Sequence, residues 1–109
     1  ERFVKLGGEM ISLPQMEAVL GRHFMAPAGQ EGPVLAVDAL EEEGQTVLVL
    51  FTTLPLEREQ ANAVLREEGL SALYMLRRVR RLAALPLLGS GKVDYRSLRA
   101  LAMQEGQGV

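Results

Sequence analysis

Near the C-terminus, Gly89-Ser90-Gly91-Lys92 sets one ammonium between glycines, a composition suited to phosphate contact. The phosphate loop of nucleoside triphosphatases needs four residues between its first glycine and its Gly-Lys pair, and then Ser or Thr as a magnesium ligand. Here only Ser90 separates Gly89 from Gly91, and Val93 follows Lys92. That reading fails on both spacing and ligand. What stands is a flexible Gly-Ser-Gly turn carrying a lysine between the apolar run Leu85–Leu88 and a short helix. Such a lysine is either a solvated surface residue or an ammonium that a mobile turn delivers into a site on another domain.

The other candidate residues define weaker chemistry. Arg77, Arg78, Arg80 and Arg81 place four positive charges within five residues. In a strand, Arg78 and Arg80 share one face, while Arg77, Val79 and Arg81 share the other. Either set is a solvated surface or a dock for an acidic partner, and Arg78 with Arg80 is the candidate pair. His23 is the only histidine and stands at a helix end, where a cation opposes the helix dipole. Glu41–Glu43 is a charge run in a loop and not a paired-carboxylate site. No metal-ligand spacing, no Ser-His-Asp set and no interleaving of basic and aromatic residues for nucleic acid is present. With no cysteine, thiol nucleophiles, disulfides and thiolate metal sites are excluded.

These residues must be positioned by one small domain. The chain has 109 residues, 48% of them hydrophobic and 24% charged, with a net charge of −2, so it can bury a single core and does not suit a polyanion as a whole. No apolar run approaches the ~20 residues of a membrane span, and no signal peptide is visible. The first residues, Glu1-Arg2-Phe3, lack an initiator methionine, so a larger parent is expected.

Gly7-Gly8 between Phe3–Leu6 and Met10–Ser12 predicts a tight hairpin. Ser12, Pro14 and Gln15 predict a capped helix start, with Met16, Val19 and Leu20 on its apolar face as far as His23. Val34–Leu40 and Thr46–Phe51 read as strands joined through Glu41–Gly44, the second of them central because its apolar run is nearly unbroken. Glu57–Glu68 reads as a helix stopped by Gly69, Leu70–Leu76 as a helical turn, and Val79–Leu82 as a short strand. Asp94 caps a last helix over Tyr95–Met103, and the tail from Gln104 frays. The expected fold is α+β: a short β-hairpin and a mixed three-stranded sheet packed with about three helices.

Two stretches together carry a resemblance. "RFVKLGGEMISLPQME", residues 2–17, and "LPLLGSGKVDYRSL", residues 85–98, with "LYM" at Leu73–Met75 between them, resemble the C-terminal domain of adenylate-forming (AMP-binding) enzymes. That superfamily includes acyl-CoA synthetases, acyl-carrier-protein ligases, peptide-synthetase adenylation domains and luciferases. "GEMISL" and "PLLGSGKVDY" are most similar to the acyl-[acyl-carrier-protein] synthetase part of bacterial 2-acylglycerophosphoethanolamine acyltransferases. Two positions depart from the pattern: Leu76 stands where many members have proline, and Glu1 where the hinge residue is usually Asp or Lys.

The resemblance implies a two-step acid–thiol ligase of fatty-acid metabolism. A fatty-acid carboxylate attacks the α-phosphate of ATP, and a phosphopantetheine thiol of acyl carrier protein or coenzyme A then takes the acyl group, feeding lysophospholipid acylation. It makes Lys92 the catalytic lysine, supported by Gly89 and Gly91, makes Lys5, Gly7, Gly8 and Glu9 the hairpin along the thiol path, and makes Glu1 the hinge. Residues 1–104 become the lid domain and 105–109 its tail. The adenylation core, with most of the ATP and magnesium contacts, lies on an absent N-terminal domain, so this fragment alone is inactive and binds no cofactor or metal by itself. The expected location is cytoplasmic, with the parent at the inner membrane. Another reading of the same residues is a non-catalytic interaction module that binds an acidic partner through Arg77–Arg81.

Overall fold

A computed structural model describes residues 2–107. The hairpin forms where expected, with β1 (Phe3–Leu6) antiparallel to β2 (Glu9–Ser12). Gly7 and Gly8 both take positive φ, 55° and 83°, which is the backbone a two-residue turn of matching twist requires. Ser12 ends β2 and begins α1 (Leu13–His23), its hydroxyl accepting from the Gln15 N–H at 3.1 Å. Helix α1 buries Leu13, Met16, Val19 and Leu20.

Strands β3 (Leu35–Glu42) and β4 (Gln45–Thr52) are antiparallel, and β5 (Arg78–Arg81) adds to β4 in parallel, giving the order β3-β4-β5. The central place of β4 follows from its apolar run. The acidic segment differs from expectation: Glu41 and Glu42 belong to β3, opposite Thr46 and Gln45, and only Glu43-Gly44 turns. At the end of a strand a carboxylate stays in water while its backbone pairs, so charge there does not end the ladder. Strand β5 also begins one residue earlier than the apolar pattern suggests.

Between β4 and β5 lies α2 (Arg58–Glu67), whose start is closed by Gln60 Oε1 accepting from the Glu57 N–H at 2.9 Å. Beyond it, Leu70 donates to the Leu65 carbonyl at 3.1 Å around Gly69, and a single 3₁₀ turn covers Ala72–Tyr74. Leu76 then enters the sheet under the control of Asn62, which accepts from the Leu76 N–H at 2.8 Å and donates to its carbonyl at 3.1 Å. A proline at position 76 would have no N–H for the first of these bonds. The departure at Leu76 is therefore accommodated by Asn62 and by burial of the leucine side chain to 2% exposure. The last helix, α3 (Tyr95–Gln107), extends past Met103, where the sequence places its end.

Alternation along the strands divides the interior into two clusters. Val37, Leu48 and Leu50 face the β1–β2 hairpin, α1 and α2. Ala36, Val47, Val49 and Phe51 face the opposite way, onto Leu85, Val93 and α3. The sheet is therefore covered on both faces.

Candidate functional site

Lys92 sits on a hairpin of its own, tighter than a flexible tether. Leu88 donates to the Lys92 carbonyl at 2.7 Å, Gly91 to the Leu88 carbonyl at 2.8 Å, and Asp94 to the Pro86 carbonyl at 2.9 Å. Leu87 and Val93 bridge across its base. Gly91 has a φ of 90°, so its place in the turn disfavours any side chain, whereas Gly89 needs no such freedom. Val93 anchors the hairpin in the second cluster. Lys92 itself is exposed and makes no side-chain hydrogen bond or ion pair with the described residues. Leu87 and Leu88 beside it are also exposed. Asp94 caps α3: the Ser97 hydroxyl at 2.8 Å and the Ser97 N–H at 3.2 Å both donate to it and hold its carboxyl below the usual carboxylate range.

The β1–β2 hairpin lies on the other face of the sheet, where Val4, Leu6 and Ile11 join the first cluster. Its outward face carries Phe3, Lys5 and Met10, all exposed, with Lys5 directly opposite Met10. A Cβ on Gly8 would meet open space, while one on Gly7 would touch Leu73 at 3.4 Å. Glu9 accepts from the Ser71 hydroxyl at 3.4 Å. A groove of about 340 Å³ leads from Gly7 past Leu73 and Leu76 to Arg58 and Arg77. Lys5, Gly7, Gly8 and Glu9 are thus together, and Lys92 with Gly89 and Gly91 forms a separate group on the opposite face. Glu1, the expected hinge, lies outside the described residues.

The arginine run divides by parity, as a strand requires. Arg78 is paired with Glu42, with Nη1 donating to Oε1 at 3.1 Å, and Arg80 is likewise engaged within the chain. Arg77 and Arg81 are exposed, and Arg81 Nε donates to the Thr53 carbonyl at 3.2 Å. His23 is 3.1 Å from Glu68, which also pairs with Arg22 at 3.2 Å. The His23 contact first, and Arg22 after it, lowers the Glu68 pKa. This trio clamps α1 to α2 and touches neither hairpin.

One cluster joins residues that no local pattern singles out. Arg2 Nη1 donates to Glu17 Oε1 at 2.8 Å, and its guanidinium lies 3.7 Å from the centre of the Tyr95 ring. Arg2 also donates to the Val37 carbonyl. Glu17 Oε2 accepts from the Val37 N–H at 2.8 Å and from the Tyr95 hydroxyl at 2.6 Å. Burial, then the hydrogen bond to Glu17, raises the Tyr95 pKa well above its usual value near 10. Beside this cluster, buried Asp38 accepts from Arg99 of α3 at 2.7 Å. The only sequence signal was the place of Arg2, Glu17 and Tyr95 within the two resembling stretches.

Among the described residues no group of three acidic or histidine side chains could hold a metal, and no helix is long and apolar enough to cross a membrane. No family model matches the chain. Solved structures do. The fatty acyl CoA synthetase of Mycobacterium tuberculosis matches with a TM-score of 0.69 at 20% identity, over 91% of this chain and 19% of that one. NpsA of Klebsiella oxytoca, solved with 3-hydroxyanthranilyl-AMSN, matches with a TM-score of 0.70 at 22% identity, over 94% and 20%. The amide bond synthetase McbA of Marinactinospora thermotolerans matches with a TM-score of 0.69 at 18% identity, over 92% and 20%. The fold is that of the C-terminal domain of adenylate-forming enzymes. The chain spans about a fifth of the length of the structures it matches.

Proposed function

We propose that this chain is the mobile small domain of an adenylate-forming ligase, working against a larger N-terminal adenylation domain. The observation that carries the reading is the placement of two candidate elements on opposite faces of one sheet: Lys92, without a partner among the described residues, on its hairpin, and the Gly7-Gly8 hairpin. One rigid body can present these faces to a single site only in turn.

In the first step a carboxylate oxygen bonds to the α-phosphorus of ATP and the bond to pyrophosphate breaks. Lys92 bridges the carboxylate and the α-phosphate, where negative charge gathers, in a site closed from water. Its exposure and its lack of a partner among the described residues fit that task. In this reading, which follows the resemblance, magnesium and most of the nucleotide pocket belong to the other domain. In the second step the domain turns. Open space at Gly8 leaves room for a phosphopantetheine arm, whose thiol attacks the acyl carbon and displaces AMP. The acid is a fatty acid and the acceptor is coenzyme A or acyl carrier protein, with phospholipid acylation downstream. The fatty-acid assignment draws on the resemblance and on the named activity of the Mycobacterium tuberculosis neighbour.

The test uses the longer polypeptide that contains this chain. Lys92→Ala lowers acyl-adenylate formation, read by pyrophosphate exchange, by ~10²-fold or more and leaves thioester formation from supplied acyl-adenylate intact. Gly8→Trp does the reverse. Equal loss of both steps in Lys92→Ala overturns the assignment.

A further inference from the structure

We infer that Arg2, Glu17 and Tyr95 are positioning residues for Lys92, joining the start of β1 to the base of the Lys92 hairpin. The inference rests on the two-step reading above and adds to it how the Lys92 hairpin is tied to the start of β1.

Three observations carry it. Arg2 directly precedes β1; its carbonyl accepts from the Leu13 N–H at 3.0 Å, and its guanidinium is held by Glu17, the Val37 carbonyl and the Tyr95 ring. Tyr95 is the first residue of α3 and stands three positions after Lys92. Between them Val93 is packed in the second cluster, and the Asp94 N–H closes the hairpin on Pro86. The path from Arg2 to Lys92 therefore runs through Tyr95 and a hydrogen-bonded hairpin, whereas the covalent path runs through nearly the whole domain. Glu17 bridges the two sides, accepting from Arg2, Tyr95 and the Val37 N–H. The three side chains make the start of β1, α1, β3 and the Lys92 hairpin turn together.

This arrangement needs no contact between Tyr95 and substrate. A displacement of about 1 Å at a catalytic group can cost ~10²-fold in rate. Tyr95→Phe keeps the ring under Arg2 and removes the bond to Glu17. In the longer polypeptide it is expected to slow acyl-adenylate formation by ~10-fold, a fraction of that limit, and to leave thiol transfer from supplied acyl-adenylate unchanged. Glu17→Gln acts in the same direction. Because Tyr95 works through Lys92, Tyr95→Phe is expected to have no further effect on adenylation in a Lys92→Ala background. Arg99→Gln loosens α3 at Asp38 without touching Arg2, so it leaves adenylation within ~2-fold.

Independent, multiplying losses in the double variant, equal loss of both steps in Tyr95→Phe, or a matching loss in Arg99→Gln each overturn the inference. Normal adenylation in both Tyr95→Phe and Glu17→Gln overturns it as well. If the wild-type polypeptide forms no acyl-adenylate, the functional reading fails and this inference with it.

Discussion

Lys92 and Tyr95 stand three residues apart, yet only the lysine could be singled out from its neighbours. A glycine-flanked ammonium advertises itself locally. The partners of Tyr95 come from positions 2 and 17 and become neighbours only through folding. Their contact has a measurable signature in alkali. Burial and the adjacent Glu17 carboxylate favour the neutral phenol, while Arg2 opposes them and Asp38 adds to the rise. A phenol whose folded pKa is raised holds its proton more tightly in the native state. Its contribution to stability is complete below the unfolded value near pH 10 and is lost as pH climbs through the folded value. Denaturant titrations of the chain above pH 10 are expected to show stability falling with pH, and the fall is shallower in Tyr95→Phe. Identical slopes in the two proteins would mean that Tyr95 ionises as freely in the fold as in water.

Strand β5 shows how an element redirects residues that composition alone groups together. Val79 packs into the first cluster, so Arg78 and Arg80 turn to the other face, where Arg78 meets Glu42. Reversing Arg78 would repel that carboxylate and confuse partner binding with damage to the sheet. Arg77 and Arg81 are the cleaner test of an acidic acceptor such as a carrier protein. Exposed charges act mainly on encounter, and salt screens them beyond ~8 Å at physiological ionic strength. Arg77→Glu with Arg81→Glu is expected to weaken the apparent affinity for a carrier protein and flatten its salt dependence, with the adenylation rate constant. Kinetics indifferent to the double reversal would leave the pair as a solvated edge.

At the scale of the whole molecule, the two clusters give the faces of the sheet unequal support. The first is closed by two helices and a hairpin. The second rests on α3, the Lys92 hairpin and one large residue of the sheet, Phe51, which is 1% exposed. Phe51→Ala is expected to cost ~3–5 kcal/mol, the range for truncating a buried phenylalanine. Against a typical domain stability of about 5–15 kcal/mol, that loss should open the α3 side first. Hydrogen exchange on the variant is expected to show faster amides in α3 and at residues 88–94 than in α1. Uniform acceleration would mean that the two sides unfold as one unit.

The order of elements, the central β4, the Gly7-Gly8 turn and the Ser12 cap were legible because each depends on residues within a few positions: periodicity, a paired glycine, a side chain that bonds its own helix start. The candidate lysine was legible for the same reason. Local pattern was weaker at ends, where Glu41 and Glu42 continue β3 and α3 runs beyond Met103, since pairing and helix extension tolerate charge in water. What only the tertiary structure decided is which polar groups meet. Asn62 with Leu76, Arg78 with Glu42, Asp38 with Arg99, and Arg2 with Glu17 and Tyr95 are each brought together from distant positions. Their side chains find partners because the apolar faces dock first and leave buried donors and acceptors that must be satisfied, and hydrophobic burial has no directional code from which those pairings could be read in advance.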